Sequence, residues 1–254
     1  MAAIEIPSES PEEPVWSRLV LLRSSDKPTM VYLRSIKGTV SGLSVSPDGR
    51  TVVMAIRRVT DDGEDRYEVQ TFRLSDGSAS RVTRLPAGME ILGAPQWTQG
   101  GILYVAGKVG DQAGTDRNPA LYALYRVPPG SDTPESVPGV GEDFVTANIS
   151  VSPDGGRLAV VGRRNPGSPT NLYVLNLASD TLQAATANDT MEIKTNPLDL
   201  AWSPDGRYVI LVARGALSGP TVYDGPAQSL SSAFYNLYEV PVVGNLPVEG
   251  GSEG

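Results

Sequence analysis

The 254-residue chain contains no cysteine and no histidine. Without Cys there is no disulfide framework, no thiolate zinc site and no cysteine nucleophile. Without His a Ser-His-Asp triad and any imidazole metal cluster are excluded. Only carboxylate, Lys, Tyr or Ser-Lys chemistry is left for catalysis. No Gly-x-Ser-x-Gly elbow occurs either. The expectation is a non-catalytic protein with no metal and no cofactor, with carboxylate-based catalysis not excluded.

Long apolar runs are also missing. None reaches the roughly 18–20 residues that a membrane span needs, so a soluble chain without direct membrane insertion is expected. The start, "MAAIEIPSESPEEP", has neither a basic n-region nor a hydrophobic h-region and does not read as a signal peptide. The compartment stays open: periplasmic or extracellular for a piece of an exported protein, cytoplasmic otherwise. Positive charge is scarce. The net charge of −8 argues against a phosphate-binding surface and hence against nucleic acid as a partner. The basic pairs Arg57-Arg58 and Arg163-Arg164 follow strand-like runs and read as solvated strand ends.

Hydrophobic residues make up 40% and charged residues 20%, values of a folded protein. With 27 Gly and 21 Pro, the composition suits a fold of many tight turns. Those turns repeat. A Ser-Pro-Asp-Gly core begins at Ser46, Ser152 and Ser203. The 106 residues from Ser46 to Ser152 are about twice the 51 from Ser152 to Ser203, which places a hidden copy near position 98. "QWTQGGILYVAG" stands there, with Trp97-Thr98-Gln99-Gly100-Gly101 a decayed version of Trp202-Ser203-Pro204-Asp205-Gly206.

Each unit has a short apolar segment before the turn and a Val/Ile/Leu-rich run after it ("TVVMAI", "ILYVAG", "RLAVVG", "YVILVA"). A polar loop and a third segment follow ("YEVQTFRL", "ALYALYRV", "NLYVLNL", "NLYEVPV"), and a weaker fourth lies at "ASRVTRL" and "TLQAAT". Short β-branched or aromatic runs bounded by Gly, Pro, Asp and Asn read as strands. Three to four strands in units of about 50 residues are propeller blades. The fold expected is therefore an all-β propeller of four recognisable blades, starting near 43, 94, 148 and 199, plus a partial or shared fifth. Residues 17–36 read as a further hairpin around Ser-Ser-Asp-Lys-Pro: either 29–34 is an outer strand that closes the last blade, or the chain is part of a larger ring and lacks its first blades. Residues 1–14 are expected to be a disordered acidic, Pro-rich stretch, 15–245 the propeller and 246–254 a flexible tail.

In the turn itself, Pro47, Pro153 and Pro204 preset φ, Asp48, Asp154 and Asp205 bond nearby backbone N–H groups, and Gly49, Gly155 and Gly206 supply positive φ. The preceding Trp or Val is expected to point between blades. A metal or water site at these carboxylates is the alternative. It is disfavoured because Gln99 replaces the Asp in one copy and because the motif recurs in every unit.

"AWSPDGRYVILVA" followed by "NLYEV", and "SVSPDGGRLAVV" followed by "NLYVLNL", resemble the WD40-like (PD40) repeat of TolB-like β-propellers, over roughly residues 40–245. The same repeat occurs in the propellers of prolyl-oligopeptidase-type peptidases. "SVSPDGRTVVMA" together with "APQWTQGGILYVAG" is more loosely similar to the C-terminal propeller of the actinobacterial lipoprotein LpqB, although no lipobox Cys is present. The resemblance implies a propeller and, by itself, no one function.

Function is then sought in what does not repeat. The loops 107–120 and 214–236 are the longest, and long loops on a rigid scaffold carry binding. Tyr223, Asp224, Phe234 and Tyr235 form a candidate contact patch, since aromatics anchor interfaces. "MEI" recurs at Met89 and Met191 in what reads as a loop entering the ring, and its Glu90 and Glu192 are candidates to line the axial channel. The acidic run Thr60–Glu68 lacks the EF-hand pattern and reads as a solvated loop. The function expected is a non-catalytic scaffold for a protein or peptide partner, of undetermined oligomeric state. The alternatives are an accessory propeller of a peptidase-like or lipoprotein parent and a propeller that binds a small ligand such as a sugar.

Overall fold

The computed structural model describes residues 2–6, 16–23, 29–60, 63–108, 122–140, 144–165, 168–187, 192–194, 199–214 and 235–242. Among these residues the fold is all-β, and no helix is long and apolar enough to cross a membrane. The chain divides into two compact units, Met1–Thr115 with Tyr125–Glu135, and Asp116–Leu124 with Ser136–Gly254.

In the first unit, β1 (Ala2–Ile6), β2 (Trp16–Arg23) and β3 (Thr29–Lys37) form a three-stranded antiparallel sheet. Next along the chain comes the sheet β4 (Thr39–Val45), β5 (Thr51–Val59), β6 (Asp65–Arg73) and β7 (Ala79–Arg84), hydrogen-bonded in chain order. A third sheet takes β8 (Met89–Thr98), β9 (Gly101–Lys108), β10 (Tyr122–Val127) and β11 (Glu135–Ser136), and the division between the units runs through its last two strands. The run "VVMAI" is continuous rather than alternating because both faces of β5 are covered. Val52, Met54 and Ile56 join Leu19, Ile36 and Phe72 on one side, while Val53 and Ala55 join Val69, Ile91, Ile102 and Tyr104 on the other. Each Val, Leu, Ile, Met or Phe among them contributes about 1.5–3 kcal/mol on burial.

The second unit holds the sheet β12 (Val145–Val151), β13 (Arg157–Arg163), β14 (Asn171–Asn176) and β15 (Thr181–Ala184). Its other sheet contains β16 (Glu192–Ile193), β17 (Leu200–Trp202), β18 (Tyr208–Arg214) and β19 (Tyr235–Pro241). Ala159, Val161, Leu172 and Val174 of the first pack against Leu200, Val209, Leu211 and Val240 of the second, with Trp202 and Tyr238 at the margin. Successive four-stranded antiparallel sheets of this kind are the arrangement of propeller blades.

The structure alters several expectations. Ala2–Ile6, expected to be disordered within 1–14, is strand β1 in register with β2: the alternation Ile4-Glu5-Ile6 favours a strand, and the backbone of β2 supplies its partners. The strand 29–34 pairs with β2 rather than with the last sheet, whose β19 pairs only with β18 among the described residues. Met89-Glu90-Ile91 and Glu192-Ile193 are strand, not loop. Met89–Leu92 pair with Val105–Lys108, and after a register shift Gln96–Thr98 pair with Gly101–Leu103. In the second unit the same strand is interrupted by a longer insertion, so that Glu192 and Ile193 pair with Arg214 and Ala213 as β16 and Leu200–Trp202 pair with Val209–Leu211 as β17. Comparable shifts at Val40/Gly42 and Thr146/Asn148 make this bulge a property of the repeat. Val45 is 42% exposed instead of lying between sheets. The second half of the acidic run, from Asp65, is strand β6, whose Glu68 is buried. Strand β11 is only two residues long, too short for any periodicity to announce it.

Candidate functional site

The Ser-Pro-Asp-Gly turns have one hydrogen-bond plan three times over. The Gly49 N–H donates to the Ser46 carbonyl at 2.8 Å, and the matching bonds at Gly155 and Gly206 are both 2.9 Å. The Ser46, Ser152 and Ser203 hydroxyls donate to Asp48, Asp154 and Asp205 at 2.6, 2.5 and 2.6 Å. The same hydroxyls accept the backbone N–H of Thr51, Arg157 and Tyr208 at 2.9, 2.9 and 3.0 Å. Each carboxylate also accepts an N–H two residues on, from Arg50, Gly156 and Arg207. These bonds, the Ser hydroxyl first, hold all three carboxyls below their ordinary value of 3.8. Gly49, Gly155 and Gly206 have φ of 70°, 72° and 68°, as the turn requires. The Ser hydroxyl, one carboxylate oxygen and the Gly N–H of each motif are thus bonded within the turn, and among the described residues no group of three or more Asp or Glu is placed to hold a metal ion.

Tyr235, Glu90 and Glu192 lie near the opposite ends of their strands. Tyr235 opens β19 and is 40% exposed. Its ring faces two cations, with Lys194 Nζ 5.2 Å and Arg214 Cζ 5.6 Å from the ring centroid. Arg214 lies between Glu192 and Tyr235 in register, paired with one across β16 and with the other across β19. Lys194 also sits 3.5 Å from Asp199. The structure thus brings the backbone of Glu192 beside the Tyr235 cluster. Glu90 is half-buried in β8 opposite Gly107, in the other unit. Tyr223, Asp224 and Phe234, with most of the loops 107–120 and 214–236, lie outside the described residues.

Strand β19 adds a feature that the sequence reading passed over. Its residues alternate: Tyr238 and Val240 turn to the core, while Leu237 is 74% exposed and Glu239 is exposed beside it. On the same face β18 presents the half-buried Tyr208, Ile210 and Val212, in register with Pro241, Glu239 and Leu237. Among the described residues the last sheet therefore has one face in the core and one partly apolar, partly exposed face that includes β19, the strand paired with β18. The parity of "YNLYEVP" is the signal that groups Leu237 with Glu239 on one face of the strand.

A recess of about 460 Å3 opens between β14–β15 and the Asp205 turn. It is lined by Asn176, Ser179, Thr181, Gln183 and Arg207 over Val174 and Val242. Arg157 crosses its floor, donating to the carbonyls of Gly206 at 2.7 Å and Val242 at 3.1 Å.

No family model and no curated protein matches the sequence. Among solved structures the chain is similar to a serine-to-alanine mutant of puromycin hydrolase, with a TM-score of 0.55 and 17% identity over 84% of this chain and 28% of that one. It is also similar to a puromycin-hydrolyzing peptidase from Mycobacterium tuberculosis (TM-score 0.48, 14% identity, 83% of this chain and 33% of that one). A third is a putative TolB from Agrobacterium tumefaciens (TM-score 0.43, 13% identity, 84% of this chain and 85% of that one). The chain spans little more than a quarter of the length of the puromycin hydrolase that it matches. At these identities the likeness concerns the fold, which is that of a β-propeller.

Proposed function

We propose that the chain is a non-catalytic propeller scaffold for a protein or peptide partner, and that an extended segment of that partner adds to β19. The observation that carries this reading is the outer face of β19, the strand paired with β18, where Leu237 is 74% and Tyr235 40% exposed. Strand addition draws affinity from main-chain hydrogen bonds and specificity from alternate side chains. The two cations flanking Tyr235 favour a carboxylate at one end of the incoming strand, and Glu239 favours a cation toward the other. Leu237 lies between them and takes an apolar side chain.

The PD40 resemblance supports blades of about 52 residues, four of them recognisable, with the β1–β3 sheet as the partial fifth. A second reading, a small polar ligand such as a sugar, has the polar 460 Å3 recess in its favour. A role as the accessory propeller of a hydrolytic or lipoprotein parent accords with the match to a quarter of a hydrolase chain.

The test is a panel of extended peptides that carry an apolar residue between an acidic and a basic one, titrated by fluorescence anisotropy. Saturable binding that Leu237→Lys removes supports the scaffold. Binding that Leu237→Lys leaves untouched, or binding of free oligosaccharides alone, overturns it.

A further inference from the structure

The outer face of β18 and β19 belongs to the second unit alone. Its residues stand in cross-strand pairs: Arg214 beside Tyr235, Val212 beside Leu237, and Ile210 beside Glu239. Lys194 of β16 reaches the Tyr235 ring from the other side of Arg214, so two cations flank that end of β19. Arg214, Leu237 and Glu239 are exposed, while Ile210 and Val212 are half-buried. Among the described residues Glu239 has no Lys or Arg within ion-pair distance.

The order along this face of β19 is a cation-flanked aromatic ring, an apolar side chain and a carboxylate. Alternate residues of a strand are about 7 Å apart, so Tyr235 and Glu239 stand at equal distances on either side of Leu237. The proposed function asks a partner for a carboxylate at Tyr235, an apolar side chain at Leu237 and a cation at Glu239. The same strand turned end for end presents those three groups in that order. The face is its own complement.

We infer that the partner on this face is a second copy of the chain. The two outer faces pack together across a two-fold axis that crosses β19 at Leu237, with the two β19 strands antiparallel. Leu237 and Val212 of one copy meet Leu237 and Val212 of the other. Glu239 of each copy faces Tyr235, Arg214 and Lys194 of its mate, so every charge contact is made twice. This inference rests on the reading that the outer face of β19 is the binding surface, and it adds the identity of the partner. Each chain carries a net charge of −8, so two copies repel at long range and associate only where opposite charges meet. The face offers fewer residues than the roughly 20–30 a side of a standard interface, which makes the dimer reversible and concentration-dependent.

Sedimentation velocity of the full chain from about 5 to about 500 µM tests the inference. The wild type is expected to pass from monomer to dimer over this range. Glu239→Lys sets an ammonium against Arg214 and Lys194 of the other copy, and Arg214→Glu sets two carboxylates together. Each variant alone is expected to associate at least about tenfold more weakly, since like charges are opposed twice in every dimer. An equimolar mixture of the two variants restores the dimer, because unlike charges then meet at both contacts. Thermal melts check folding, and Glu239→Lys, at an exposed position with no ion pair to lose among the described residues, carries the test if Arg214→Glu unfolds. A wild type that stays monomeric, a Glu239→Lys variant that dimerises as tightly as the wild type, or a mixture of folded variants no more dimeric than either alone overturns it. The peptide titration keeps this failure apart from that of the scaffold reading. A chain that stays monomeric yet binds the peptides loses only the second copy as partner, whereas one that does neither loses both.

Discussion

The guanidinium of Arg157 lies 4.9 Å from the centre of the Trp202 ring, and the Trp202 indole N–H donates to the Ser150 carbonyl at 2.7 Å. Arg157 starts β13 and Trp202 ends β17, so the pair ties one sheet of the second unit to the next. The same guanidinium donates to the carbonyls of Gly206 and Val242. One side chain thus satisfies a turn, a strand end and an aromatic face.

Arg157→Met keeps the aliphatic stem and removes all three contacts. Urea unfolding is expected to show a loss of about 2–3 kcal/mol. Arg157→Lys should recover only part of it, since an ammonium cannot hold two carbonyls in one fork. A loss under 0.5 kcal/mol for Arg157→Met would show that the contacts are incidental.

The turn carboxylates set a dependence on acid. Asp48, Asp154 and Asp205 are held below 3.8 when folded, so they bind protons more readily in the unfolded chain. Their contribution is full above pH 3.8 and is lost as the pH falls below it. Asp76, lowered to about 2 mainly by the Ser78 hydroxyl, adds to the same loss between 3.8 and 2. Unfolding midpoints measured from pH 5 to pH 2 should fall for the wild type and fall less for the triple Asp→Asn variant. Parallel curves would contradict the assignment.

The decayed turn makes a contrasting demand on glycine. At Gly101, with φ of 125°, a Cβ would stand 2.1 Å from the Val127 carbonyl oxygen. At Gly49, with φ of 70°, a Cβ would meet nothing within 4 Å. Gly49→Ala should therefore cost about 1 kcal/mol, from backbone strain alone. Gly101→Ala should cost about 3 kcal/mol or more, because strand β10 must move as well. Equal losses in a denaturant titration would mean that the clash relaxes freely.

The sequence showed those features whose cause is local. A Ser hydroxyl, an Asp and a Gly within four residues make a turn wherever they stand, so the repeat could be measured, and its copy at Trp97–Gly101 lies at the β8–β9 turn. What depends on partners distant in sequence was not legible. Arg58 read as a solvated strand end because its ion-pair partner Glu68, on the neighbouring strand, was invisible. Val45 read as an interface residue by analogy with Trp202, yet only the larger side chain reaches a neighbouring strand. The exposure of Leu237 depends on what stands beside the last sheet, which its own alternation cannot reveal.

Leu237→Lys replaces a side chain that is 74% exposed. Its effect on stability should stay within about 0.5 kcal/mol, while peptide affinity falls by at least about tenfold. Matched thermal melts and anisotropy titrations separate the two. A large loss of stability would mean that Leu237 belongs to a core.

The most direct measurement is amide hydrogen exchange of the full chain with and without a peptide that saturates it. Strand addition predicts new protection of amides in Tyr235–Pro241, with the strands of the first unit unchanged. Protection confined to other segments, with β19 exchanging as it does in the free protein, would contradict it.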